Sequence, residues 1–188
     1  MGEARFFDVL MEEHRGFKVM LTVLESIATR LASHQAVPPT MVTDTLDFFE
    51  YFADRHHGKE EDLLFPLLAS HGLGPDKTVI SALLSQHEAG RAYAKKMRGD
   101  VRRYLAGEKT AALDFATHAY GYVELIREHI RIEDNYFYHL ADQLLTRAEQ
   151  QSVIAEFGGV IASRATSMDR QRYLRMLEEF PGVVAGWV

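Results

Sequence analysis

Cysteine is absent from the 188-residue chain. That excludes disulfides, thiolate metal sites and iron–sulfur clusters. Excess positive charge is also missing: 27 acidic residues outnumber 21 basic ones, for a net charge of −6, and no basic stripe offsets it. A nucleic-acid partner is therefore not expected. The start, MGEARFFDVLMEEH, holds no long apolar run, so neither a secretory signal nor a membrane span is expected, and the location implied is cytoplasmic. There is no strand-like alternation and no low-complexity linker. Only five prolines and 13 glycines occur, and those that matter fall in a few short breaks.

Between those breaks the pattern is helical. Phe6, Leu10, Phe17, Leu21, Leu24, Ala28 and Leu31 follow a spacing of three or four with one gap of seven, which predicts a helix over 6–34. VPPT (37–40) breaks it and opens a second helix, from about Thr40 to Ser70. HGLGPD (71–76) is a Gly/Pro connector before a third helix over 76–106, and Gly107 suits the position just past its end. A fourth covers 110–145. Each is near ~45 Å long at 1.5 Å per residue. Short connections between four such rods predict an all-α, up-down-up-down four-helix bundle. TRAE (146–149) is a capping box opening a shorter fifth helix, which Gly158-Gly159 should stop; SMDRQRYLRMLEEFP should make a sixth. The expectation is one domain over 1–188, a bundle at about 6–145 and a two-helix C-terminal extension.

Nine histidines are many for this length. His14 fills the gap in the first apolar stripe. His57 shares a side with Phe49, Ala53, Glu61 and Leu64; His87 follows Ile80, Leu83 and Leu84; His129 lies in a stripe with Tyr122, Leu125, Glu133 and Tyr136. Each long helix thus sends a histidine inward. A lone histidine on an apolar stripe is ordinarily a hydrogen-bonded core residue, but four together carry a different meaning. HGKEEDLLF (57–65) and HIRIEDNYF (129–137) align without a gap and pair His57 with Glu61 as His129 pairs with Glu133. His56 and Glu60 then fall off that face. An i, i+4 His/Glu pair sets an imidazole and a carboxylate one turn apart, and a carboxylate can bridge two cations. His14, His57, Glu61, His87, His129 and Glu133 supply four nitrogens and two carboxylates. That set suits a dinuclear iron or manganese centre better than a single four-coordinate zinc.

The order His14, His57-x3-Glu61, His87, His129-x3-Glu133, with HHGKEEDLLFP and EHIRIEDNYF around it, resembles the hemerythrin-like (HHE cation-binding) family over roughly residues 6–145. The resemblance implies two iron ions bridged by the carboxylates, with histidines as terminal ligands and manganese or zinc as substitutes. It implies a small diatomic ligand or peroxide as the binding partner; a protein partner is not readable. One departure stands out: oxygen carriers of that family have His-x3-His on the third helix, and here Arg91 follows His87. A charged guanidinium cannot ligate, so one ion should lack a nitrogen, which weakens reversible O2 carriage and favours redox, peroxide or sensing chemistry.

Helix direction places Lys18, Glu50, Arg91, Tyr122 and His118 on one side of the centre, and Leu10, Phe65, Leu83 and Phe137 on the other. A polar network above an apolar floor is expected, with Arg91 paired to Glu50, since a buried unpaired guanidinium is costly. His118 lies ~16 Å along the helix from His129, too far to ligate. Asp134 is a candidate to orient a ligating imidazole. Three function classes remain: a di-iron binder or sensor of O2, NO or peroxide; an enzyme with catalase- or peroxidase-like turnover or iron donation for repair; and a metal store or structural site.

Overall fold

The computed structural model describes residues 6–76, 78–163 and 170–187. Among them there is helix and no strand, and no helix is long and apolar enough to cross a membrane. Helix α1 runs Phe6–Ala32, α2 Pro39–Lys59, α3 Phe65–Ser70, α4 Val79–Leu105, α5 Ala111–Ile132, α6 Tyr138–Leu144, α7 Arg147–Ser163 and α8 Arg170–Ala185. Two π-helical turns, Glu60–Leu64 and Glu133–Phe137, join α2 to α3 and α5 to α6 without a break. The two predicted 30-residue helices are there, each with a wide turn inside it.

The ends follow their local chemistry. Pro39 takes the first turn of α2, where a missing N–H costs nothing. Beyond α4, Gly107 adopts φ +87° while the Gly107 and Glu108 N–H groups bond back to Tyr104 and Arg103, closing the helix in the Schellman manner. His34 does the same beyond α1 at φ 56°, with the His34 and Gln35 N–H groups on Leu31 and Arg30. At the start of α7 the Thr146 N–H donates to Glu149 at 2.8 Å and the Glu149 N–H returns to Thr146 Oγ1 at 3.3 Å. Two expectations fail. Helix α7 runs through Gly158-Gly159 to Ser163, because glycine lowers helix propensity by only about 1 kcal/mol and does not block the backbone bonds. Helix α8 runs past Pro181 to Ala185, and residues 167–169 of the predicted sixth helix lie outside the described ones.

Packing closes a ring: α1 lies against α2 and α5, and α4 against α5 and α2. Helix α7 covers α1 and α2, and α8 covers α1. The apolar interior falls into two clusters. One gathers Leu24, Phe49, Phe115, Tyr122, Ile126 and their neighbours, with Met176 and Val184 from α8. The other gathers Phe6, Leu10, Phe65, Leu83, Phe137 and Phe157. His14 sits on α1 between Leu10 of one cluster and Phe17 of the other. The inward histidines occupy the level between them.

The two left-handed residues yield a matched test. Gly107→Ala should lower stability by about 1 kcal/mol, whereas His34→Gly should raise it by up to about 1 kcal/mol, since only glycine adopts that backbone freely. Thermal unfolding should move by a few degrees in opposite directions. Equal signs would contradict the assigned caps.

Candidate metal centre

Seven buried side chains meet between the two apolar clusters: His14, His56, His57, Glu60, His87, His129 and Glu133, none more than 3 % exposed. Their candidate ligand atoms form three overlapping groups, each within 4.8 Å: His57, His87 and His129; Glu60, His87, His129 and Glu133; and His14, His56 and Glu133. The Nε2 atoms of His14 and His56 lie 2.9 Å apart, close to the ~3 Å that separates two ligands at right angles around an ion about 2.1 Å away. Glu133 Oε2 is 3.3 Å from His14 Nε2 and 3.2 Å from His129 Nε2. Glu60 spans the other way, with Oε2 at 3.4 Å from His87 Nε2 and Oε1 at 3.9 Å from His56 Nε2. Each carboxylate therefore lies between an imidazole of the first two helices and one of the last two.

The π turns create this geometry. In each, an N–H bonds five residues back: Phe65 to Glu60, and Tyr138 to Glu133. The extra residue per turn shifts everything beyond the glutamate, and such turns gather at functional sites. The two turns are themselves 73 positions apart, which sets the internal echo one residue away from the 72-residue alignment. His14 and His87, His56 and His129, and Glu60 and Glu133 are each separated by the same 73 positions (14 to 87, 56 to 129, 60 to 133). The supporting residues obey the same offset. Asp134 accepts from His14 Nδ1 at 2.7 Å, and Glu61 from His87 Nδ1 at 2.7 Å. Lys18 backs Asp134 at 2.6 Å, and Arg91 backs Glu61 at 2.6 Å. Glu13 meets His56 Nδ1 at 2.9 Å, and Gln86 meets His129 Nδ1 at 3.0 Å.

The expected site residues divide accordingly. His14, His57, His87, His129 and Glu133 are brought together. Glu61 is not in the cluster: its carboxylate holds His87 and Arg91 instead, and Glu60, fully buried, takes the inward place. His56 and Glu60, expected off the inward face, are both inside. The three-to-four spacing of an ordinary helix hid this, because α2 is packed on two sides. His56 turns to α1, where it meets His14 and Glu13, while His57 stacks on His87 of α4 with ring centroids 3.7 Å apart. Five imidazoles converge rather than four, so the position left by Arg91 does not leave the centre short of nitrogen.

The expected Arg91–Glu50 pair is also absent. Arg91 binds Glu61 and, at 3.4 Å, Glu88; Glu50 binds Arg98 at 2.7 Å. His118 Nδ1 donates to Asp100 at 2.6 Å, away from the cluster, and Tyr122 packs edge-on against Phe49. The polar end is thus a set of separate small networks, whereas Leu10, Phe65, Leu83 and Phe137 do share one apolar cluster. The sequence reading gave no role to Tyr138, whose hydroxyl donates to Glu60 Oε1 at 2.8 Å; an aromatic at the position after a buried Phe carries no signal of that bond.

The donor set fits a cation on direct grounds. Among the described residues, seven buried side-chain nitrogen or oxygen atoms make no hydrogen bond. Six of them belong to the cluster: His57 Nδ1, Glu60 Oε2, His87 Nε2, His129 Nε2 and both oxygens of Glu133. Leaving such atoms unmatched costs about 1–3 kcal/mol each. Electrostatics reflect the crowding. Burial disfavours charge on His14, but the Asp134 hydrogen bond and the adjacent Glu133 carboxylate outweigh it and raise its pKa to about 9. Burial also opposes charge on His87, yet Glu60 and Glu61 raise it to about 9. His57 goes the other way, well below 6.5, through burial and repulsion from His87 and His129. Burial opposes the Glu61 charge, but His87 and Arg91 hold its pKa at about 2.

These values set two expectations. Without metal, His14 and His87 are charged at pH 7. Their raised pKa stabilises the fold fully below pH 6.5, and that contribution is lost as pH rises through about 9. A cation needs neutral imidazoles, so loading at pH 7 should release about two protons per chain, declining above pH 9. Calorimetry in buffers of different ionisation enthalpy measures this, and uptake without proton release would contradict it. Glu61→Gln and Asp134→Asn should each weaken metal affinity roughly 10–100-fold, by loosening His87 and His14. An unchanged affinity in either variant would remove that carboxylate from the support.

The chain matches the model of the hemerythrin HHE cation binding domain over residues 5–141. It is also similar to uncharacterized proteins of Mycobacterium bovis and of two Mycobacterium tuberculosis strains, each 24% identical over 149 residues, covering 79% of this chain and 58% of theirs. The chain thus spans little more than half the length of those curated relatives. No solved structure gives a significant match. With a match over most of its length, and buried histidine and glutamate groups that can hold a metal ion at its centre, the chain belongs to the hemerythrin HHE cation-binding domain family.

Proposed function

We propose that the four long helical segments form an up-down-up-down bundle around two iron ions, and that the protein binds or senses O2, NO or peroxide there. The observation that carries this reading is the set of six buried ligand-type atoms that make no hydrogen bond, all on residues of three overlapping candidate groups, two of which share Glu133. His14 and His56 would hold one ion, His57, His87 and His129 the other, with Glu60 and Glu133 between them. When bound, such a pair supplies reversible electron transfer and an open coordination position. The chain supplies the rest. Asp134 and Glu61 fix the His14 and His87 rings through their Nδ1 atoms. Phe65 stacks on His87 at 6.0 Å and Phe137 closes the floor, keeping water away. Five imidazoles restore the nitrogen count whose expected shortage spoke against reversible binding.

A second reading has its own support. Tyr138 is fully buried, and burial together with Glu133 and Glu60 pushes its pKa well above 10. It therefore stays protonated, with its hydroxyl 2.8 Å from Glu60 and 3.4 Å from His56. A hydrogen-bond donor held in that place suits turnover of peroxide, as in a catalase- or peroxidase-like enzyme.

Protein taken from its own host should contain two iron ions per chain and absorb in the near ultraviolet, with a visible band appearing when the reduced form meets O2 or NO. Steady O2 release from peroxide, lost in Tyr138→Phe, would select the enzyme. A colourless zinc form from the native host would overturn both.

A further inference from the structure

A separate cavity of about 370 Å³ lies between α2, α4 and α5, large enough for a small organic ligand. Small side chains make the room: Ala53 on α2, Gly90 and Ala94 on α4. Its walls are apolar, from Phe49, Tyr122 and Ile126, and His57 lines the end nearest the cluster. Its rim is basic. Arg91, Lys95, Arg98 and Arg102 recur at spacings of four, three and four along α4, with Glu50 the single carboxylate among the described lining residues. Arg91 and Arg98 are engaged by Glu61 and Glu50. Lys95 and Arg102 have no ion-pair partner among the described residues. Tyr122 is 2 % exposed, lines the cavity, and its hydroxyl makes no hydrogen bond to a described residue. An apolar trough with spare cations on its lip and an unbonded phenol hydroxyl on its wall matches one ligand chemistry: an acid group on an apolar chain.

We propose that this cavity binds a monocarboxylic acid with a short apolar chain. Its carboxylate takes the Tyr122 hydroxyl and the Lys95 and Arg102 cations. Its chain lies on Phe49, Ala53 and Ile126 and reaches towards His57. Tyr122 and Lys95 stand seven and eight residues from His129 and His87, or about 10–12 Å along their helices, so a chain of roughly eight carbons spans the distance. The site depends on no bound metal, and occupancy would cover His57 from that side.

Calorimetry with octanoate, on the full chain with its metal content measured beforehand, tests the proposal. One octanoate per chain is expected, and octanol, without the charge, should bind at least about tenfold more weakly. Exposed Lys95 and Arg102 can be changed without touching the core: Lys95→Ala with Arg102→Ala should weaken octanoate about tenfold or more and leave octanol unchanged. Ala94→Leu should fill the trough and abolish binding of both, with helix content checked by circular dichroism. No saturable octanoate binding, or binding indifferent to the double variant, overturns the proposal. Binding by protein that comes from its own host without iron would leave it standing and remove the di-iron reading instead.

Discussion

Two carboxylates with almost no exposure, Glu60 and Glu133, face five imidazoles in an interior closed by apolar clusters above and below. Hydrogen bonds inside the protein do not satisfy them. The Nδ1 sides of His14, His56, His87 and His129 are matched by Asp134, Glu13, Glu61 and Gln86, while six inward atoms are left over. The outer halves of these rings are thus committed, while the inner Nε2 atoms of His87 and His129 make no hydrogen bond. Such an arrangement is costly in a protein by itself, and positive charge placed at the centre resolves it. The supporting helices hold this level between the two apolar clusters.

The centre is built twice. A step of 73 positions carries the histidines, glutamates, orienting carboxylates and their backing cations from α1–α3 onto α4–α6. The departures from the repeat make the halves unequal. His57 stacks on His87 where Ile130 stands in the other half, and Tyr138 carries a hydroxyl where Phe65 has none. Glu13 has a buried cationic partner in Lys59, whereas Gln86 is neutral. Two ions held here would meet different surroundings: one nearer the phenol and the Glu13–Lys59 pair, the other among three imidazoles and next to the basic-rimmed cavity.

Much of the architecture was legible from apolar spacing and punctuation. Gly107, the prolines at 38 and 39 and the Thr146–Glu149 box all act as their chemistry implies. Four of the five converging histidines could be read from the apolar stripes. The π turns were not legible, because period analysis assumes 3.6 residues per turn and no residue type marks a wide one. The choice of Glu61 over Glu60 has another cause: the shared His-x3-Glu-Asp-x2-Phe string begins at His57 and His129, and that match aligned the echo one position out. Treating α2 as having one inward face hid His56, since a helix clasped by α1 and α4 can bury neighbouring residues on both. Arg91 was expected to seek Glu50 because the carboxylate chosen as a ligand, Glu61, was its actual partner. Gly158-Gly159 misled for a simpler reason: glycine weakens a helix without ending it.

The most direct measurement is anomalous diffraction at the iron edge from crystals of the iron-loaded protein. The account predicts two peaks about 3.5–4 Å apart, both between the carboxylates of Glu60 and Glu133, with the Glu61 and Asp134 carboxylates behind His87 and His14. A single peak, or iron bound by Glu61 with Glu60 turned away, would contradict it.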